Sequence, residues 1–228
     1  RAFPMKQSGG SDEQKRRAGE AAADEAGDGM VVGLGTGSTA AHAIRALGER
    51  EVEIEGVPTS FESRQRAVDA GIPLTSLDQA SVDLAIDGAD QVAGGALVKG
   101  GGAAHAREKY VDASADRFVV VADPSKAAEV LDVSVPVAVL PDARPVVAER
   151  VTELGGEPTL RDAERKDGPV VTDNGSLVLD CEFGAIEAPG DLAADLSAIP
   201  GVVEHGLFVD LADAVYVGTS DGVQVNER

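Results

Sequence analysis

Four times before residue 127 this chain follows a short apolar run with glycine or small polar residues, and each time strong structural punctuation results. Met30-Val-Val-Gly-Leu34 leads into Gly35-Thr-Gly-Ser-Thr39 and a helical pattern over 40–50. Residues 52–57 lead into Thr59-Ser60 and a helix over 60–70. Residues 82–86 end at Asp87, and a helix over 103–113 follows a triple glycine. Residues 117–122 end in Asp123-Pro-Ser-Lys126. Strand, turn and helix in this rhythm build a parallel sheet with crossover helices. Ligand sites of such sheets lie beyond the carboxyl ends of the strands. A first helix over 11–28, capped by Ser11 and closed by Gly27-Asp-Gly29, precedes the first strand.

After residue 133 the order changes. Strands are expected over 135–140, 159–161, 170–172 and 176–183, with helices over 145–154 and 191–198. A β-α-β-β-α-β order of this kind implies a small α+β domain. The apolar segments 202–211 and 214–218 are expected to return and finish the first sheet. The expected fold is therefore α/β, with a Rossmann-like parallel-sheet domain at 1–133 plus 204–228. A smaller, ferredoxin-like α+β domain occupies 134–203.

Charge narrows the function classes. The chain has 40 acidic against 20 basic residues, net −20. Such a surface repels nucleic acid and anionic membranes. Six lysines and 3% aromatic residues accompany it, a composition that points to molar salt inside the cell, where the Debye length falls to about 3 Å. No apolar run is long enough for a membrane-spanning helix. Residues 1–5 carry no apolar signal core, and Met5 is expected to be the natural start. Cys181 is the single cysteine. That fits a reducing cytoplasm, and its apolar strand surroundings mark it as core and not as a nucleophile.

The chemistry-bearing residues concentrate at the strand ends. Gly33-Leu-Gly-Thr-Gly-Ser-Thr39 lets a backbone approach an anion at a helix N-terminus. A dinucleotide fingerprint would want glycine where Ser38 stands, and a P-loop would want a lysine. A compact phosphate is the expected ligand, with a plain tight turn as the alternative. Asp87-Gly-Ala-Asp90 supplies two carboxylates, which could bind a metal or be only solvated turn residues. His42, His105 and His205 lack ligand spacing. Lys99-Gly-Gly-Gly102 joins a point charge to a nest of backbone donors. Glu108 follows one or two helical turns later. Lys126 is a second candidate cation, and His105 reads as packing or rim. Carboxylates, an ammonium and bare N–H groups at this density suit proton transfer beside a carbonyl on an anionic substrate.

The motifs at 35–42, 87–90, 99–104, 107–109, 122–126, 171–175 and 199–203 resemble ribose-5-phosphate isomerase type A, in order from Asp12 to Val223. The resemblance implies interconversion of D-ribose 5-phosphate and D-ribulose 5-phosphate in the pentose phosphate route. It implies a homodimer or homotetramer that uses no metal, and no other cofactor is expected. Its general base falls on Glu108. Its substrate-binding segments fall on Thr36, Gly37, Ser38 and Thr39, on Asp87, Gly88, Ala89 and Asp90, on Lys99, Gly100, Gly101 and Gly102, and on Lys126 and Lys15. Glu108 would move a proton between C2 and C1, with partial burial raising its basicity. Lys99 would hold the developing oxyanion, and Asp87 and Asp90 would manage hydroxyls. Ala-His-Ala at 104–106 departs from relatives that carry Leu-Thr. A sugar-phosphate sensor on the same fold would have no use for Glu108, and a nucleotide-dependent oxidoreductase is disfavoured by Ser38.

Overall fold

The computed structural model describes residues 10–228; the expected start at Met5 lies outside the described residues. The chain forms two compact units. The first holds the described residues up to Ala89, then Arg107–Ala127 and Asp210–Arg228. The second holds Asp90–Ala106 and Ala128–Val209.

The first unit opens with α1 (Asp12–Ala23), β1 (Val31–Leu34), α2 (Ser38–Glu49), β2 (Glu55–Pro58), α3 (Phe61–Asp69) and β3 (Leu84–Gly88). In the second unit follow β4 (Gln91–Ala93) and β5 (Ala96–Val98). Helix α4 (His105–Ser114) leads back to β6 (Arg117–Ala122) in the first. The second unit then takes β7 (Val135–Val139), α5 (Arg144–Glu153), β8 (Glu157–Leu160), β9 (Leu177–Glu182), α6 (Pro189–Ser197), β10 (Val202–His205) and β11 (Leu207–Val209). Strands β12 (Ala214–Gly218) and β13 (Val223–Glu227) complete the first unit.

Six strands of the first unit form one sheet in the order β13-β12-β6-β3-β1-β2. All pairings are parallel except β12 with β13. Counted by appearance, the parallel strands run 2-1-3-4-5, a doubly wound order that reverses between β1 and β3. At such a reversal the crossovers leave to opposite faces and open a crevice at the carboxyl ends. Val32, Leu34, Ile86, Val119 and Val121 pack against Ala18, Ala22, Ile44 and Leu47, as a sheet covered by helices requires. A Cβ on Gly33 would stand 2.9 Å from Val111 Cγ1, so glycine there lets α4 lie close on β1.

In the second unit, β7, α5, β8, β9, α6 and β10 follow in βαββαβ order. Their antiparallel sheet runs β10-β7-β9-β8, which is the ferredoxin-like arrangement. Val135, Val137, Val139, Leu179 and Cys181 pack on Val147, Val151 and Leu196. A separate antiparallel ribbon runs β11-β5-β4. The α/β class read from the sequence is thus present, with parallel and antiparallel sheets separate.

Several boundaries differ from expectation, each for a local reason. Helix α1 stops at Ala23 because Asp24 pairs with Arg50 and Glu25 turns aside to Arg117. Residues 52–54 stay outside β2, because Glu53 is held by the 28–29 turn through Asp28 Oδ1 (2.9 Å) and Gly29 N–H (2.7 Å). Asp87 lies within β3 and not after it. Residues 170–172 form a single isolated bridge, Val171 with Leu177, since Thr172 closes the turn onto Ser176. Residues 202–209 do not join the parallel sheet. They split at Gly206 into β10 and β11, which pair with β7 and β5.

Candidate active site

In the first unit the carboxyl ends of β1, β3, β6 and β12 gather most of the predicted residues. Thr36 follows β1, and its N–H donates to Asp87 Oδ1 at 3.0 Å. The Gly88 N–H donates to the same oxygen at 2.6 Å. Asp87 is fully buried, and a Cβ on Gly35 would come within 2.2 Å of its Oδ1. Glycine at 35 is therefore the cradle of this carboxylate. The Thr36 hydroxyl donates to Ser60 Oγ at 2.7 Å and lies 2.9 Å from Thr59 Oγ1. Thr59 and Ser60 thus belong to the site's support. Ser60 also caps α3, the helix that Thr59-Ser60 was expected to open.

Helix α2 begins at Ser38, and its N-cap, Gly37, has φ +114° and no side chain to cap it. First-turn N–H groups without a side-chain cap, at the positive end of a 12-residue helix, suit a phosphate. Thr39 is buried and Ser38 exposed.

Asp123 follows β6 and is 1% exposed. Its Oδ1 accepts from Ser125 N–H at 2.9 Å and Ser125 hydroxyl at 2.5 Å. The turn so fixed carries Lys126, which is half-buried. A Cβ on Gly10 would meet Asp123 Cγ at 2.3 Å, and one on Gly218 would meet Gln14 O at 1.9 Å. The first turn of α1 therefore crosses the carboxyl ends of β6 and β12 and brings Lys15 to that edge. Glu108, on α4, is 4% exposed. Val111, against Gly33 of β1, lies three residues further on, so Glu108 sits about 4.5 Å nearer the carboxyl edge.

In the second unit the Lys99–Gly102 loop follows β5. Lys99 is 2% exposed, with Nζ 5.5 Å from the centre of the Phe208 ring. Aromatic faces attract ammonium groups, more so away from water. The Lys99 N–H donates to Gly206 O at 2.8 Å, and a Cβ on Gly206 would strike Lys99 O at 2.2 Å. Asp90 Oδ2 accepts the Gly101 N–H at 2.7 Å. One oxygen of Asp90 is thereby committed to holding the loop. Gly100 has φ +107°, and a Cβ there would meet His105 Nδ1 at 2.6 Å. His105 is fully buried and lies against the Gly100 turn. Ala103 has φ +62°, a conformation rare for a residue with a side chain and concentrated at functional turns. Gly102 is exposed and Gly101 half-buried.

Arg161 and Asp180 were not anticipated. Arg161 spans the Asp180 carboxylate and the Gly100 and Gly101 carbonyls. Burial, with the Asp180 charge second, pushes the Cys181 thiol up to about 12, which keeps it inert, as its strand setting implied.

Among the described residues no helix is long and apolar enough to cross a membrane. Residues 55–222 match the family model described as ribose 5-phosphate isomerase A (phosphoriboisomerase A). A curated relative of that name from Halobacterium salinarum is 75% identical over 224 residues, covering 98% of this chain and 100% of the relative. The structure of ribose 5-phosphate isomerase A from Methanocaldococcus jannaschii superposes with a TM-score of 0.93 at 44% identity, covering 96% of this chain and 100% of the other. A D-ribose-5-phosphate isomerase solved in complex with phospho-erythronic acid matches with a TM-score of 0.93 at 41% identity, covering 96% and 100%. The chain belongs to the ribose 5-phosphate isomerase A family.

Proposed function

We propose that the chain interconverts D-ribose 5-phosphate and D-ribulose 5-phosphate through an enediolate, with Glu108 as the proton carrier. The C2 proton of the open aldose is made acidic by the C1 carbonyl. Glu108 takes it and the electron pair moves to the C1 oxygen; the C2 hydroxyl proton then passes to that oxygen, and Glu108 returns its proton to C1 as the C2 oxygen becomes a carbonyl. Lys99 and glycine-loop N–H groups stabilise the oxyanion, a contribution of about 3–4 kcal/mol for a key donor. The uncapped start of α2, with Lys126 and Lys15, holds the phosphate, and that anchor orients C1 and C2. Asp87 and Asp90 exchange protons with sugar hydroxyls during ring opening.

The observation that carries this reading is a buried glutamate, Glu108, on the helix that follows the Lys99–Gly102 loop. The bound phospho-erythronic acid of the related structure adds support: a carboxylate one carbon short of the pentose imitates a planar enediolate. The same reading takes the enzyme to be a homodimer or homotetramer, as the family resemblance implies, and a cytoplasmic one, as its single cysteine suggests.

Glu108→Gln keeps the shape and removes the base. Isomerisation, assayed in molar salt with EDTA present, should fall by about 10²–10⁴-fold, while substrate still binds. Retention of more than a tenth of the parent rate would remove Glu108 from this role.

A further inference from the structure

Three consecutive glycines form a loop with little conformational preference of its own, yet Gly100–Gly102 must present its donors in one direction. The means lies in the ferredoxin-like sheet. Arg161 follows β8, and its main chain is pinned on both sides: its N–H donates to Val178 O at 2.9 Å, and its carbonyl accepts from Val170 N–H at 2.8 Å. Its guanidinium has two tasks. Nε and Nη2 reach Asp180 Oδ2 and Oδ1 at 2.9 and 2.5 Å. Nη1 donates to Gly100 O at 2.9 Å and Gly101 O at 3.3 Å. The side chains are only 11% and 16% exposed. A planar fork with its bonds made in fixed directions is a use lysine cannot copy.

The peptide plane turns these bonds into a direction. In a trans peptide the carbonyl and the next N–H point opposite ways. The Gly100 carbonyl is held by Arg161, and the N–H of the same peptide, on Gly101, is held by Asp90 Oδ2 at 2.7 Å. That unit is gripped at both ends. The next carbonyl, on Gly101, also points to Arg161, so the Gly102 N–H points away from Arg161, on the side where Asp90 holds its neighbour. A cation on the carbonyl also polarises the amide and strengthens its N–H as a donor.

We propose that Arg161, fixed by Asp180, is a positioning residue for the isomerase: it sets the Gly100–Gly102 peptide planes and aims the Gly102 N–H, beside Lys99, at the substrate oxyanion. This rests on the reading of the Lys99–Gly102 loop as the oxyanion's partner. The Gly100 carbonyl also accepts from the Ala103 N–H at 2.9 Å, so without Arg161 it is the Gly101–Gly102 peptide that samples its flipped orientation, and the donor is lost from most molecules while the fold persists.

The test is Arg161→Lys, which retains the charge opposite Asp180 but loses the fork. Folded fraction is measured by circular dichroism and kcat by isomerase assay, in the same molar KCl. A fall in kcat per folded molecule of fivefold or more is expected; a smaller fall overturns the inference. Arg161→Ala should regain kcat per folded molecule when guanidinium is added at tens of millimolar, and absence of any gain overturns it as well. Lys99→Met separates the two levels. If Lys99→Met retains the parent rate, the loop reading itself fails. If Lys99→Met is inactive while Arg161→Lys is unimpaired, only the role of Arg161 fails.

Discussion

Gly35 shows how narrowly one position can be defined. Its missing side chain is the space that Asp87 occupies, with Oδ1 2.2 Å from where a Cβ would be. Gly35→Ala must move Asp87 or the strand. It should lower kcat/KM by about 100-fold or more, since two bonds that orient a buried carboxylate are displaced, and destabilise by about 1–3 kcal/mol, the usual cost of overpacking. Kinetics and a melting curve read the two effects separately; an unimpaired Gly35→Ala enzyme would mean that Asp87 has no exacting position. Residues like these were legible because they break rules of packing. A lysine among glycines in a chain of net −20 announces itself, and Lys99 is indeed almost wholly enclosed. Arg161 and Asp180 were not legible. Their meeting depends on the β8–β9 register, in which Thr159 faces Asp180, and no local spacing encodes a partner across two strands.

Among elements, the end of α1 is the instructive case. The alanine-rich pattern favours helix to residue 28, and helix propensity alone gives no reason to stop at Ala23. Tertiary bonds decide. Glu25 leaves the helix to accept from Arg117 Nε on β6 at 2.5 Å and from the Tyr216 hydroxyl on β12, while Glu227 of β13 shares the Arg117 guanidinium at 2.9 Å. One carboxylate thus ties a helix terminus to two strands, which local propensity does not foretell. Burial pushes the Glu25 carboxyl up, but the Arg117 and Tyr216 hydrogen bonds outweigh it and hold the group below its ordinary range. A carboxylate lowered in the folded state stabilises above its unfolded value near 4.3, and that contribution fades as pH falls through the folded value. Glu25→Gln should cost about 1–2 kcal/mol at pH 7. The gap to the parent should close in acid, below about pH 4. Urea titrations at both pH values check this, and a gap unchanged by acid would mean that the carboxylate charge contributes nothing. The strand-then-helix rhythm was legible throughout the first unit because period and punctuation are local. The fate of 202–209 was not, because Gly206 breaks one apolar run into strands of two different sheets.

Over the whole molecule the excess of 20 negative charges dominates. Ion pairs on α1, such as Arg16 with Glu13 and Glu20, are exposed and offset little of it. At 0.01 M salt the screening length is about 30 Å, and at 1 M about 3 Å, so repulsion spans the protein in the first case and barely one side chain in the second. The unfolding midpoint should rise steeply between 0.1 and 2 M KCl, with activity following it. A protein as stable in dilute buffer as in 2 M salt would show that this acidity is no adaptation to salt. The order of assembly follows from the sheet itself. Strand β12 lies between β6 and β13, yet the chain visits all of the second unit's strands before reaching Ala214. During synthesis, then, β6 waits with one edge unpaired while everything from Ala128 to Val209 emerges. For that interval the nascent protein carries an open seam, a row of unpaired backbone groups that the wrong neighbour could fill.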